Sequence, residues 1–128
     1  DNGNGTKTDT QTGLMWLKSP KQGALTWTDA MSYADKLEFA GFTDWRLPTA
    51  DELKVFSEVQ DKNGTTAPYP WKWYNSHGFQ KVEEANYWTS TPESYDDNMV
   101  KMYDLKFGGE RTTVKSAKDA CAWAVRKP

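Results

Sequence analysis

The sequence is poor in the residues most catalytic sites use: one histidine, His77, and one cysteine, Cys121, in 128 residues. A single cysteine allows no internal disulfide and no cysteine-based metal cluster. Apolar residues make up only 37%, and no run approaches the roughly 18 to 20 residues that a membrane span needs. The chain opens on DNGNG rather than on a charged-then-apolar leader, which leaves the compartment open. Charge of one sign is also missing, since the net value is −2.

Aromatics are plentiful instead. They reach 14%, with seven tryptophans, so the core is expected to be built from few, large side chains that each bury much area. That excludes a disordered chain, and the length fits a single domain over residues 1–128. The small net charge hides a gradient: residues 1–60 carry 6 basic and 9 acidic groups, 61–100 carry 3 and 6, and 101–128 carry 7 and 3. Lys101, Lys106, Arg111, Lys115 and Lys118 are candidates for a patch that meets an anionic polymer. The alternative is a solvated hairpin whose lysines deter edge pairing.

Turn dipeptides Asn2-Gly3, Asn4-Gly5 and Thr12-Gly13 flank two short predicted strands, near Thr6–Thr10 and Leu14–Leu17, joined as a hairpin. Asp1, Asn4 and Asp9 are oxygen donors of the kind calcium prefers, but Gly3 breaks the EF-hand spacing, and turn chemistry is the better reading. The stretch TWTDAMSYADKLEFAGF predicts a helix capped by Thr26 with Asp29 in a shortened capping box, ended by Gly41. Its apolar stripe is Trp27, Ala30, Met31, Ala34 and Leu37. A second helix starts in DWRLPTADEL, where Thr49 and Glu52 form a capping box and Leu53, Phe56 and either Val55 or Val59 face the core. Arg46 is expected to be held by Asp44 or a strand carbonyl.

From Asp61 to Asn86 helical periodicity is lost, and a long loop carrying Tyr69, Trp71, Trp73 and Tyr74 is predicted. Beyond it, YWTST reads as a strand, and NMVKMYDLKF with ERTTV as a hairpin closed by a two-residue Gly108-Gly109 turn. A bulge near Tyr103-Asp104 would reconcile the two parities of its apolar residues. ACAWAVR reads as one last strand. The sum is α+β, with two helices and mostly antiparallel strands.

TGLMW, Trp27 with Ala30, GFTDWRLPTADEL, YWTST and the terminal AVR together resemble the bacterial domain of unknown function found at the C-terminus of the Legionella collagen-like adhesin. The resemblance runs in order along nearly the whole chain. It implies an extracytoplasmic domain related to C-type-lectin-like folds, which include formylglycine-generating enzymes and phage tropism determinants. In such folds two helices flank a small twisted sheet, the chain ends pair, and long loops carry the binding surface. It further implies association with trimers and sulfated glycans. Relatives often carry a cysteine on the first helix and another in the last strand, where this chain has Ala34 and Ala124, so the usual staple is absent and is not transferred to Cys121.

A formylglycine-type oxidase needs copper or paired thiolates, which one cysteine cannot supply. A serine-type hydrolase needs a base near a nucleophile, and no nucleophile motif lies by His77. Asp51 and Glu52 point in different directions on a helix and so are poor glycosidase partners. The remaining candidates sit in two loops. Trp71, Trp73 and Tyr74 in Pro68–Phe79 either stack on sugar faces or a protein partner, or form the loop's apolar underside. Thr91–Met99 offers Tyr95 as a stacking group, and Glu93, Asp96, Asp97 and Asn98 as candidate calcium ligands or simply a solvated acidic loop.

The expectation is a non-enzymatic, extracytoplasmic adhesion module whose loops bind a glycan or protein on a surface, with Lys101, Lys106 and Arg111 contributing if the ligand is anionic. Nucleic acid is not an expected partner, and calcium is the one cofactor in question. The alternatives are a diverged enzyme of the formylglycine-generating-like superfamily and a module that trimerises a surface fibre protein.

Overall fold

A computed structural model describes residues 2–58 and 69–128. Asp1 as an oxygen donor, Val59 as a core residue of the second helix and Pro68 at the head of the aromatic loop lie outside the described residues. The architecture is α+β, with three helices and two sheets. A three-stranded sheet has the order β1 (Thr6–Thr8), β2 (Met15–Leu17), β8 (Val125–Arg126) and is antiparallel throughout. The five-stranded sheet runs β3 (Lys21–Leu25), β7 (Ala120–Ala122), β4 (Asn86–Pro92), β5 (Met99–Asp104), β6 (Glu110–Val114). Only its β4–β7 pair is parallel.

The expected single last strand is therefore two strands, one in each sheet. Residues 120–126 are all buried because the chain crosses from one sheet to the other through the core, with Trp123 at the crossing. Trp123 meets Trp16, Phe56, Tyr74 and Phe79 edge-on at ring-centroid distances of 5.1–5.6 Å. Phe56 stacks on Trp16 at 3.8 Å and on Tyr74 at 4.7 Å. Indole N–H groups tie distant segments to this core: Trp123 donates to the Leu17 carbonyl and Trp88 to that of Leu25, both at 2.7 Å. A buried indole usually finds an acceptor, and here each of these two tryptophans fixes a chain crossing as well as filling volume.

Helix α1 (Trp27–Lys36) starts at the predicted Thr26 cap, whose hydroxyl accepts from the Asp29 amide, but without the return bond from the Thr26 amide to Asp29 that a capping box requires. It stops at Lys36, earlier than the expected Gly41. Ala40 and Gly41 both have positive φ, 55° and 83°, and Phe39 and Phe42 exchange both backbone hydrogen bonds at 3.0 and 3.1 Å. That is the signature of a two-residue primed turn, so the glycine closes a miniature hairpin rather than the helix.

Helix α2 (Ala50–Ser57) has the full capping box between Thr49 and Glu52. The ion pairs around it differ from expectation. Arg46 takes Glu52 in a two-pronged contact at 2.7 and 2.9 Å, while Asp44 takes Arg126 at 2.6 and 3.1 Å. The backbone of Arg46 pairs with that of Val125, which swings its side chain back toward the helix start and leaves Asp44 beside the C-terminal strand.

Two further expectations are corrected. The aromatic segment contains a third helix, α3 (Pro70–Ser76), with Pro70 at its start, where a missing N–H costs nothing. The hairpin of β5 and β6 is closed by residues 105–109, not by two glycines, and its register runs unbroken from Met99–Val114 to Tyr103–Glu110. No bulge occurs at Tyr103-Asp104. Apolar parity changes because the strand ends there: the Asp104 carboxylate accepts from the amides of Lys106 and Phe107, and Leu105 turns its backbone to Ala85 and Trp71. The register irregularity lies on the other side of β5, between Trp88 and Pro92 of β4.

Candidate functional site

The backbone amide of Trp71 donates to the Leu105 carbonyl at 2.9 Å. This single bond docks the start of α3 against the β5–β6 turn. It brings the Tyr69 ring to 6.0 Å from the ring of Phe107. Both are unusually open for large aromatics, at 43% and 59% exposure. Lys72 lies over the rings of Tyr69 and Trp71 at 5.3 and 5.6 Å. Lys106 lies over Phe107 at 5.2 Å and reaches Glu84 at 3.0 Å. The result is a face of two exposed rings, Tyr69 and Phe107, beside the half-buried Trp71, carrying two ammonium groups.

Of the residues singled out from sequence, Trp71 and Lys106 meet on this face. Tyr69, Lys72 and Phe107 complete it, and sequence reasoning misses them as site residues. The available signals are an apolar Phe107 beside Gly108-Gly109 and a lysine wedged between Trp71 and Trp73. Tyr74 is corrected: it is fully buried, donates its hydroxyl to the Phe56 carbonyl, and burial pushes its pKa well up. A residue that the core encloses has no face to offer a ligand. Trp73 points elsewhere, stacked on His77 at 4.0 Å.

The C-terminal basic groups do not form one patch. Cross-strand register puts Lys101 opposite Thr112 and Arg111 opposite Met102, so strand alternation places the two cations on opposite faces of the sheet. Lys101 pairs with Glu110 at 3.6 Å and Arg111 with the buried Asp104 at 3.1 Å, while Lys115 lies over the Trp27 ring.

Tyr95, 73% exposed, tops the β4–β5 loop, apart from the aromatic face. Glu93 accepts from the Thr112 hydroxyl at 2.8 Å and Asp96 from the Asn98 amide at 2.9 Å. Among the described residues, no three acidic, histidine or cysteine side chains gather as a metal site.

A separate cleft of about 590 Å³ lies between β1 with its following turn, the end of α2, and the far side of α3. Its walls include Lys7, Asp9, Phe56, Glu58, His77 and Phe79. The His77 Nδ1–H is spent on the Trp73 carbonyl at 2.7 Å. Cys121 is likewise engaged: its thiol donates to Glu83 at 2.9 Å, and burial, reinforced by that carboxylate, raises its pKa far above the ordinary value. Among the described residues, no helix is long and apolar enough to cross a membrane.

Residues 5–126 match the family described as the Lcl C-terminal domain. No curated protein matches the chain.

Proposed function

Because the chain belongs to the Lcl C-terminal domain family, we propose that it is a non-enzymatic binding module of an extracytoplasmic adhesin, taking an anionic glycan across the Tyr69–Trp71–Phe107 face. The observation that carries this reading is the pairing of open aromatic rings with Lys72 and Lys106. Flat rings bury the apolar faces of sugars at small entropic cost, and ammonium groups beside them meet carboxylate or sulfate substituents. The non-enzymatic reading is supported by a thiol sealed in the core and by an imidazole bonded to its own helix.

The chain's ends meet in one sheet, β1 and β8 flanking β2, which supports a C-type-lectin-like architecture for the domain. In this reading calcium is not the bridge to the sugar, so binding survives chelation. The test is an array of neutral, carboxylated and sulfated glycans probed in EDTA, followed by titration of any hit against the Tyr69→Ala/Phe107→Ala variant. Retention of anionic glycans by the wild type and their loss in the folded variant is expected. An empty array, or equal binding by the variant, overturns the proposal.

A further inference from the structure

The cleft on the far side of α3 combines an apolar wall with carboxylate oxygens that the described residues leave unspent. The half-buried Phe79 lines its apolar side, and Val55, 48% exposed, forms part of the rim. The Glu58 carboxylate has no partner among the described residues, and Asp9 spends one oxygen on the Gln11 amide at 2.9 Å. Glu58 also sits at the C-terminal end of α2, where free carbonyls add partial negative charge. Asp9 faces inward far enough that its charge adds, after burial, to the raised pKa of Tyr74.

Among the described residues the one cation in the wall, Lys7, is already engaged. The Lys7 ammonium donates to the His77 carbonyl at 2.8 Å, lies 4.8 Å from the centre of the Phe79 ring, and is packed so closely on Gly78 that a Cβ there would come within 2.3 Å. It therefore offers little to an anion. It also shows what this cleft accepts: an aliphatic stem along the wall, its ammonium against a ring face and a carbonyl.

We propose that this cleft is a second ligand site, independent of the aromatic face, and that it takes an alkylammonium group on an aliphatic stem. The stem lies on Val55 and Phe79, and the ammonium is held between Asp9 and Glu58. At about 590 Å³ the space falls within the range of small-molecule sites. Two sources share this chemistry, a free diamine and the lysine side chain of a peptide.

Nuclear magnetic resonance titration of the domain with 1,5-diaminopentane, with Nα-acetyl-lysine methylamide, and with its Nε-acetylated form separates them, read at the Trp73 indole and neighbouring amides. Saturable shifts with a Kd of about 1 mM are expected for the amines and none for the acetylated compound. Asp9→Asn with Glu58→Gln should weaken binding by about tenfold or more, with an unchanged near-ultraviolet circular dichroism spectrum. The Tyr69→Ala/Phe107→Ala variant should bind the amines like the wild type. Binding of the diamine alone assigns the site to free amines, and binding of the capped lysine alone assigns it to protein side chains. Equal binding of the acetylated compound, no saturable shift with either amine, or undiminished binding by the folded acid-site variant overturns the proposal.

Discussion

Two regions of this domain place cations against aromatic rings, and they use them in opposite ways. At the corner around residues 44–52, Arg126 lies 3.6 Å from the centre of the Phe42 ring and is clasped by Asp44, while Arg46 is clasped by Glu52. Each of these four charges closes on a charge of the same chain, and Glu52 also closes the start of α2. At the α3 face, Lys72 rests on Tyr69 and Trp71, and Lys106 rests on Phe107 and meets Glu84 through a single contact at 3.0 Å, with the Tyr69 and Phe107 rings open to solvent and Trp71 half-buried. Guanidinium forks locked in two-pronged pairs hold geometry, whereas single ammonium groups on flexible stems keep hydrogen-bonding capacity for something else. The same residue classes thus build a joint in one place and a contact surface in the other.

That contrast breaks most sharply under substitution. Glu52→Ala removes the carboxylate that serves both the Thr49 amide and Arg46 and should cost about 1–2 kcal/mol, read as a lowered denaturation midpoint. Glycan binding by the remaining folded protein should be unchanged, and a selective loss of binding would show the corner to be part of the site. The Tyr69→Ala/Phe107→Ala variant should do the reverse, weakening binding by about tenfold or more while stability changes by less than about 1 kcal/mol. Smaller still is the effect of Lys72→Gln or Lys106→Gln. Each should weaken binding by about two- to fivefold near 0.1 M salt, and the difference from wild type should vanish by about 1 M salt, where charges at this range are screened. A deficit that survives high salt would mean that the lysines act through ring packing rather than charge.

The corner is legible in the sequence and the face is not, for physical reasons. A capping box is local: Thr49 and Glu52 reach each other whatever the rest of the chain does, so four residues are enough to place α2. The partners of Arg46 and Asp44 are harder to read, because Arg126 arrives from 82 residues away. Helix α3 has no side-chain cap, and only Pro70 and Tyr74 of its seven residues are buried, so it carries no apolar stripe to reveal it. It is held by tertiary bonds, the Trp71 amide to Leu105 and the Tyr74 hydroxyl to Phe56. Tryptophan and tyrosine are likewise ambiguous by type. Tyr74 and Tyr69 lie five positions apart, one enclosed by the core and the other 43% exposed, and only the packing of α3 distinguishes them. The split of Lys101 and Arg111 across two sheet faces depends on the unbroken β5–β6 register: the bulge expected at Tyr103-Asp104 would shift Lys101 by one residue and bring both cations to one face.

Acid sharpens the comparison by the smallest effect. The hydrogen bond from Arg46 holds the Glu52 carboxyl below its ordinary range, and that from Arg126 does the same for Asp44. A carboxylate whose pKa is lowered by folding adds stability that is present in full above its unfolded value and is lost as pH falls through the folded value. The ordinary values are 4.5 and 3.8, so the contribution should be constant from neutrality to about pH 5 and decline below about pH 4. The melting temperature of wild type minus that of Glu52→Gln should therefore be positive and flat above about pH 5 and shrink toward zero in stronger acid. The corner carboxylates bond to Arg46 and Arg126 rather than to the lysines of the α3 face, so glycan binding by the folded protein should not change between about pH 7 and about pH 5. A binding curve that fell with the corner carboxylates would join the two regions into one site.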